Sequence, residues 1–148
     1  MPLPTRQRRA LEINESAEHA RAKRRLARWL TAPIAGSREP PTYRVMLEYP
    51  FTEGGGGVIA WEARGFGRKP TIPMLRKRSG ALICICDLVL IEGQTVTTAV
   101  EVVKTNVTPP WKIGWLRSHG VEVYEASAEA ILEHNGKPAS LDALMVLA

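Results

Sequence analysis

Two acids stand where hydrophobes are expected. In "CDLVLIEGQTVTTAVEVVKT", residues Cys86 to Thr105, Asp87 sits inside one apolar run and Glu101 inside the next. Side chains alternate faces along a strand, so Asp87 is expected beside Ile85 and Val89, and Glu101 beside Ala99 and Val103. The short "EGQT" turn predicts antiparallel neighbours, with both acids near one end of the sheet. Carboxylates brought close in low dielectric repel each other and shift their pKa values unless a cation lies between them. All-oxygen ligation favours Mg²⁺ or Mn²⁺, with waters and a substrate phosphate completing the shell. The competing reading makes Glu101 a surface residue of an edge strand and pairs Asp87 with an arginine. Asp87 is the harder to dismiss, because an unpaired charge within ICICDLVLI is costly.

The elements that must position these acids follow from periodicity. A helix is predicted from about Asn14 to Leu30, with Ile13, Ala22, Leu26, Trp29 and Leu30 on its apolar side and Asn14 or Ser16 as its cap. Glu15, His19 and Lys23 are spaced i, i+4, i+8 and form one stripe along it. Facing the acid end of the sheet, that stripe adds a third carboxylate, an imidazole and a cation; facing solvent, it is an ordinary charged surface. "TAPIAGSREPP" ends the helix. Strands are predicted over Thr42–Phe51 and Gly57–Gly65, joined by the glycines Gly54 to Gly57, which lack the Lys-Ser/Thr of a phosphate-binding loop. "GRKPTIPMLRKRSG" reads as loop, residues 81–93 as a central strand covered on both faces, and residues 96–105 as its neighbour.

Further along, Thr108 suits an N-cap and Pro109 a first helical position, with Trp111, Trp115 and Leu116 on one side and Gly120 as the stop. That spacing favours core packing over an exposed protein-docking face. "VEVYEA" is a short strand, Ser127 caps a last helix to about His134, and the apolar tail 141–148 is expected to pack back as a helix turn. His119 and His134 fall at helix C-termini, where the dipole favours them. The order α, β, β, β, β, α, β, α predicts an α/β fold with a mixed central sheet flanked by helices. Residues 13–148 make a single domain behind a basic, flexible segment 1–12.

At 148 residues and 45% apolar content, the chain can bury a real core. Its net charge of +5 equals the excess within residues 1–30, where eight basic side chains face three acids. Arg21, Arg24, Arg25 and Arg28 belong to that group. A second cluster, with Arg64, Arg68, Lys69, Arg76, Lys77 and Arg78, has no acid between its members. Such clusters attract a polyanion such as DNA, or else form a solvated helix face and a basic loop. Cys84 and Cys86 are too close along one strand for disulfide geometry and lack the further ligands of a zinc site, so reduced, buried thiols are expected. No leader-like or membrane-spanning apolar run is visible, which predicts a soluble, cytoplasmic protein. The oligomeric state is not legible.

An Asp-bearing strand, a turn, "AVEVVKT", a helix and "GVEVYE" together resemble the PD-(D/E)XK nuclease superfamily, with the nearest likeness to competence protein CoiA-like families. "NESAEHARAKRRLARWL" is similar to the Glu-Ser-x-x-His-x-x-x-Lys helix that opens those proteins. The resemblance spans most of the chain outside residues 1–12, the Gly54–Gly57 region and the tail. It implies a restriction-endonuclease-like αβββαβ core with an extra strand, and Mg²⁺- or Mn²⁺-dependent hydrolysis of DNA in processing, repair or uptake. It further implies a cation held by Glu15, Asp87, Glu101 and the Val102 carbonyl, with Lys23 stabilising the transition state and His19 moving protons. The basic clusters, with Lys104, would then contact the DNA backbone. Two positions depart from the pattern: Cys86 stands where proline is usual, and Val103 where the motif lysine is expected. Lys104, one residue on, points to the opposite face unless a bulge re-aims it. The alternative implied is a catalytically inactive nuclease-fold module that binds DNA.

Overall fold

In the computed structural model, which describes residues 16–32, 41–54, 60, 71–105, 107–136, 138 and 141–148, Ser16 caps the first helix, α1 (Ala17–Thr31). Its hydroxyl accepts from the His19 backbone N–H at 3.1 Å, satisfying one of the orphan donors of the first turn. Strand β1 (Tyr43–Thr52) comes next, then helix α2 (Ile72–Ser79), strands β2 (Leu82–Glu92) and β3 (Thr95–Val103), and helix α3 (Pro110–Ser118). Strand β4 (Glu122–Ser127), helix α4 (Ala128–Glu133), a 3₁₀ turn (Leu141–Ala143) and strand β5 (Met145–Leu147) complete the order.

The result is an α/β fold around one mixed sheet of five strands, ordered β1-β2-β3-β4-β5. β1 to β3 form an antiparallel meander, β3 and β4 run parallel, and β5 adds antiparallel to β4. The parallel pair requires a crossover, and α3 supplies it. Apolar side chains cover both faces of the sheet. On one face Ala22, Leu26, Trp29 and Leu30 of α1 pack with Leu88, Val100, Val102 and Ile131. On the other, Tyr49, Phe51, Cys84, Cys86, Val89 and Ala99 meet Leu116 of α3. This double burial explains the nearly unbroken apolar run of β2. Both cysteines are buried and free.

Several expectations need correction. Residues 72–79 form a helix where a loop was expected. Pro73 lies in its first turn, where the missing N–H costs nothing, and Thr71 Oγ1 caps it by accepting from Met74 N–H at 3.4 Å. α3 begins one residue later than expected, with Pro109 at the cap position, because Thr108 turns its hydroxyl to Glu125 instead of to the helix. The tail forms a 3₁₀ turn and an edge strand, since β4 leaves an edge that residues 145–147 can pair with. The strand expected over Gly57–Gly65 and the segment 1–12 lie outside the described residues.

Gly120 follows α3 with φ of 81°, a left-handed conformation that closes the helix. No atom lies within 4 Å of where a Cβ would stand, so alanine there meets a backbone penalty alone. Gly120→Ala should cost about 1 kcal/mol in a urea unfolding titration, with an unchanged m-value.

Candidate functional site

The β2–β3 ladder runs from Glu92↔Thr95 to Leu88↔Val100 and stops there. Continuing the register sets Asp87 opposite Glu101, and at this level side chains replace the ladder. Asp87 N–H donates to Glu101 Oε2 at 3.2 Å, while Val102 N–H donates to Asp87 Oδ2 at 2.8 Å. The two carboxylates therefore meet in the gap where the strands part, each bonded to the other strand's backbone.

The same level carries two more acids. Leu47↔Leu88 and Tyr49↔Cys86 bracket Glu48 beside Asp87, and Glu101 pairs in register with Glu125. Glu48 has φ of 53°, the one left-handed non-glycine among the described residues, a conformation that clusters at functional sites. The strands reverse faces around it. Tyr49 and Cys86 belong to the α3-side core, whereas Leu47 and Leu88 pack on the α1 side. This reversal corrects the simple alternation expected for β2: Asp87 turns toward α1, away from Val89.

Cations approach the carboxylates from both faces. From α1, Lys23 is buried at 4% exposure, pairs with Glu48, and lies 3.7 Å from Asp87 Oδ1. His19 Nε2 is 3.5 Å from Asp87 Oδ2 and 2.6 Å from the Val102 carbonyl oxygen. A carbonyl only accepts, so Nε2 carries the hydrogen in that bond. From α3, Lys112 forms an ion pair with Glu101 and donates to the Ile85 carbonyl at 2.7 Å. Two residues of the stripe predicted on the first helix thus reach the acids; the third, Glu15, lies outside the described residues.

These contacts separate the two carboxyl groups electrostatically. Burial pushes Glu101 up to about 7, and the Asp87 charge adds to that rise, against the opposing attraction of Lys112. Burial also opposes ionisation of Asp87, but hydrogen bonds from His19 and Glu101, the Lys23 charge and the Val102 N–H outweigh it and hold Asp87 below the usual carboxylate range. Burial disfavours the Lys112 charge, yet Glu101 and the nearby cysteines keep its pKa above that of an ordinary lysine. Opposite shifts in adjacent acids separate proton-holding from charge-holding roles.

The family-model, curated-protein and solved-structure comparisons return no match. What the site can do rests on its own chemistry. Asp87, Glu101 and the Val102 carbonyl offer only hard oxygen donors, a set that fits Mg²⁺ or Mn²⁺ bound through two carboxylates with waters completing the shell. Among the described residues no group of three or more His, Cys, Asp and Glu side chains is arranged to hold a metal ion. Each candidate donor instead has a protein partner: Lys23 at Asp87, His19 at Val102 and Lys112 at Glu101.

The basic residues divide. Arg21, Arg24 and Arg28 are exposed on the outer side of α1, and Lys77 is exposed on α2. Arg25 is engaged structurally: it donates to the His134 carbonyl and lies 5.2 Å over the Trp29 ring. Arg76 is half-buried. Lys104 pairs with Glu18 at 3.1 Å, which carries it to the α1 surface and not into the acid pair. Arg64, Arg68, Lys69 and the side chain of Arg78 lie outside the described residues. Trp111 and Trp115 are half-buried against the core, and Trp115 packs on Phe51 at 5.7 Å and stacks on His119 at 4.1 Å. They do not form an open docking face.

Glu48, Glu125 and Lys112 escaped the sequence reading. The two acids carried the signal that exposed Asp87 and Glu101, a carboxylate inside a strand-forming apolar run. Glu125 accepts from the Thr108 N–H at 3.0 Å and from its hydroxyl at 3.2 Å, fixing the approach to α3. Lys112 gave no signal, because a lysine beside Trp111 reads as an ordinary helix surface.

Proposed function

We propose that the chain is a divalent-metal-dependent hydrolase of DNA phosphodiester bonds, with Asp87 and Glu101 at its centre. The observation that carries this reading is the meeting of the two carboxylates in the gap between β2 and β3, with Lys23 and His19 brought to them by α1. The element order also supports it. One helix, three antiparallel strands with a helix inserted after the first, and a helical crossover to a parallel strand are compatible with the αβββαβ order of a restriction-endonuclease-like core, whose expected extra strand over Gly57–Gly65 lies outside the described residues.

In this reading Asp87, Glu101 and the Val102 carbonyl would hold the cation. Bound Mg²⁺ or Mn²⁺ supplies Lewis-acid polarisation of the phosphate and a water of lowered pKa. Hydrolysis would add a water across one P–O bond: its oxygen joins phosphorus, and one of its protons ends on the departing sugar oxygen. Lys23 offsets charge that builds on the phosphoryl oxygens. His19 holds the Val102 carbonyl in place through Nε2–H, a positioning task in place of the proton transfer first expected of it. Arg21, Arg24, Arg28 and Lys77 contact the DNA backbone without reading sequence, so binding weakens steeply with salt. No helix among the described residues is long and apolar enough to cross a membrane.

The test is incubation of the protein with single- and double-stranded DNA and either Mg²⁺ or Mn²⁺. Cleavage should vanish with chelator and fall at least about 100-fold in the Asp87→Ala, Glu101→Ala double variant. Cleavage that survives both changes refutes the assignment. A second reading, a DNA-binding module without catalysis, draws on Val103 at the motif-lysine position and on the protein partners at Asp87, Glu101 and the Val102 carbonyl. It predicts salt-sensitive DNA binding that persists without metal and without Asp87.

A further inference from the structure

Lys112 is a cation placed against the acid pair from the side opposite α1. Its side chain is 13% exposed, its Nζ donates to the Ile85 carbonyl at 2.7 Å, and it pairs with Glu101. Burying an ammonium is expensive unless its partners are well placed. Here they are: Trp111, Ile113 and Trp115 of the same helix pack on the core, which leaves Nζ little freedom to leave the gap. An ammonium has three N–H donors. Among the described residues, Ile85 and Glu101 are its acceptors, two for three donors.

We propose that Lys112 is the catalytic cation that Val103 fails to provide, delivered from α3 instead of from β3. This rests on the hydrolase reading above. With Nζ anchored on the Ile85 carbonyl and beside Glu101, its positive charge bears on reactants bound at the Glu101 carboxylate. There it orients the attacking water and stabilises charge developing on a non-bridging phosphoryl oxygen. Lys104 cannot take this part, since it is drawn to Glu18 on the α1 surface. Lys23 is held between Glu48 and Asp87 on the α1 side, whereas Lys112 meets Glu101 from beneath α3.

The experiment compares Lys112→Met and Lys112→Arg with the unmodified chain, measuring Mn²⁺ affinity by calorimetry beside Mn²⁺-dependent DNA cleavage. K112M should bind Mn²⁺ no more weakly than the unmodified chain, because a competing cation is gone, yet cleave DNA at least about 100-fold more slowly. K112R keeps the charge and the pair with Glu101 but displaces the donor, and should slow cleavage about 10-fold or more. It also decides the matter if K112M does not fold. Unchanged cleavage in a folded variant overturns the assignment of Lys112 and leaves the hydrolase reading standing. Parallel loss of Mn²⁺ affinity and cleavage overturns it too, since Lys112 would then act only by holding Glu101. An unmodified chain that binds DNA but never cleaves it with either metal overturns the hydrolase reading itself.

Discussion

Replacing Lys23 with methionine should lower the free energy of unfolding by about 3 kcal/mol. Methionine keeps most of the aliphatic stem that α1 buries, so the loss isolates the charge. Among the described residues, two carboxylates depend on that charge. Glu48, with a side chain 41% exposed, can turn to water when its partner disappears. Asp87, at 19%, sits among backbone donors in the strand gap and has much less access to solvent. Breaking a buried pair from one side costs about 3–5 kcal/mol; the solvent available to Glu48 puts the expected value at the low end. In urea this should move the midpoint down by roughly 1–2 M at constant m-value. A double-mutant cycle with Asp87→Asn should recover most of the loss, because the orphaned charge is then gone. A cycle with no coupling would show that Asp87 is neutralised by other groups.

Much of this was legible in the sequence, and the residues show why. Asp87 and Glu101 were visible because an acid in an apolar strand is expensive. His19 and Lys23 were visible because helix periodicity places them on one stripe. Gly120 marked a helix end by lacking a Cβ, and Ser127 by the acceptor oxygen of its hydroxyl. What the sequence concealed was tertiary. The left-handed turn at Glu48 reverses the faces of β1 and β2 together, and strict alternation has no means of signalling it. Lys112 reaches Glu101 only because the crossover lays α3 over that point of the sheet. Residues 72–79 were read as loop, although Pro73 falls in the first turn, where a helix accommodates it. Thr108 was read as a cap because its bond to Glu125 joins residues 17 positions apart, beyond the reach of local pattern.

The pH dependence of stability should carry the signature of Glu101. Its carboxyl is raised from 4.5 to about 7 in the folded chain, so the native state holds a proton that the unfolded state has released. Between those values the folded form binds more protons, and stability must fall as pH rises through the window. The full penalty, about 3 kcal/mol at most, is reached above pH 7. The groups facing Glu101 act elsewhere. Asp87 is held below its ordinary range, so it contributes stability above pH 4 that is lost on acidification. Lys112 is raised, so its contribution persists throughout and is lost only in strong alkali. Cys86, raised mainly by burial, disfavours the folded state only where the unfolded thiol ionises, above pH 9. Glu101→Gln removes the titrating group and leaves Lys112 charged across the whole window, so its cost is constant with pH. Plotted from pH 5 to pH 8, the unfolding free energy of the unmodified chain should therefore decline relative to that of E101Q by up to about 3 kcal/mol. Parallel curves would mean that Glu101 is ionised at both ends. The Lys112 pair would then be a permanent ion pair, with no proton to give up when a cation arrives.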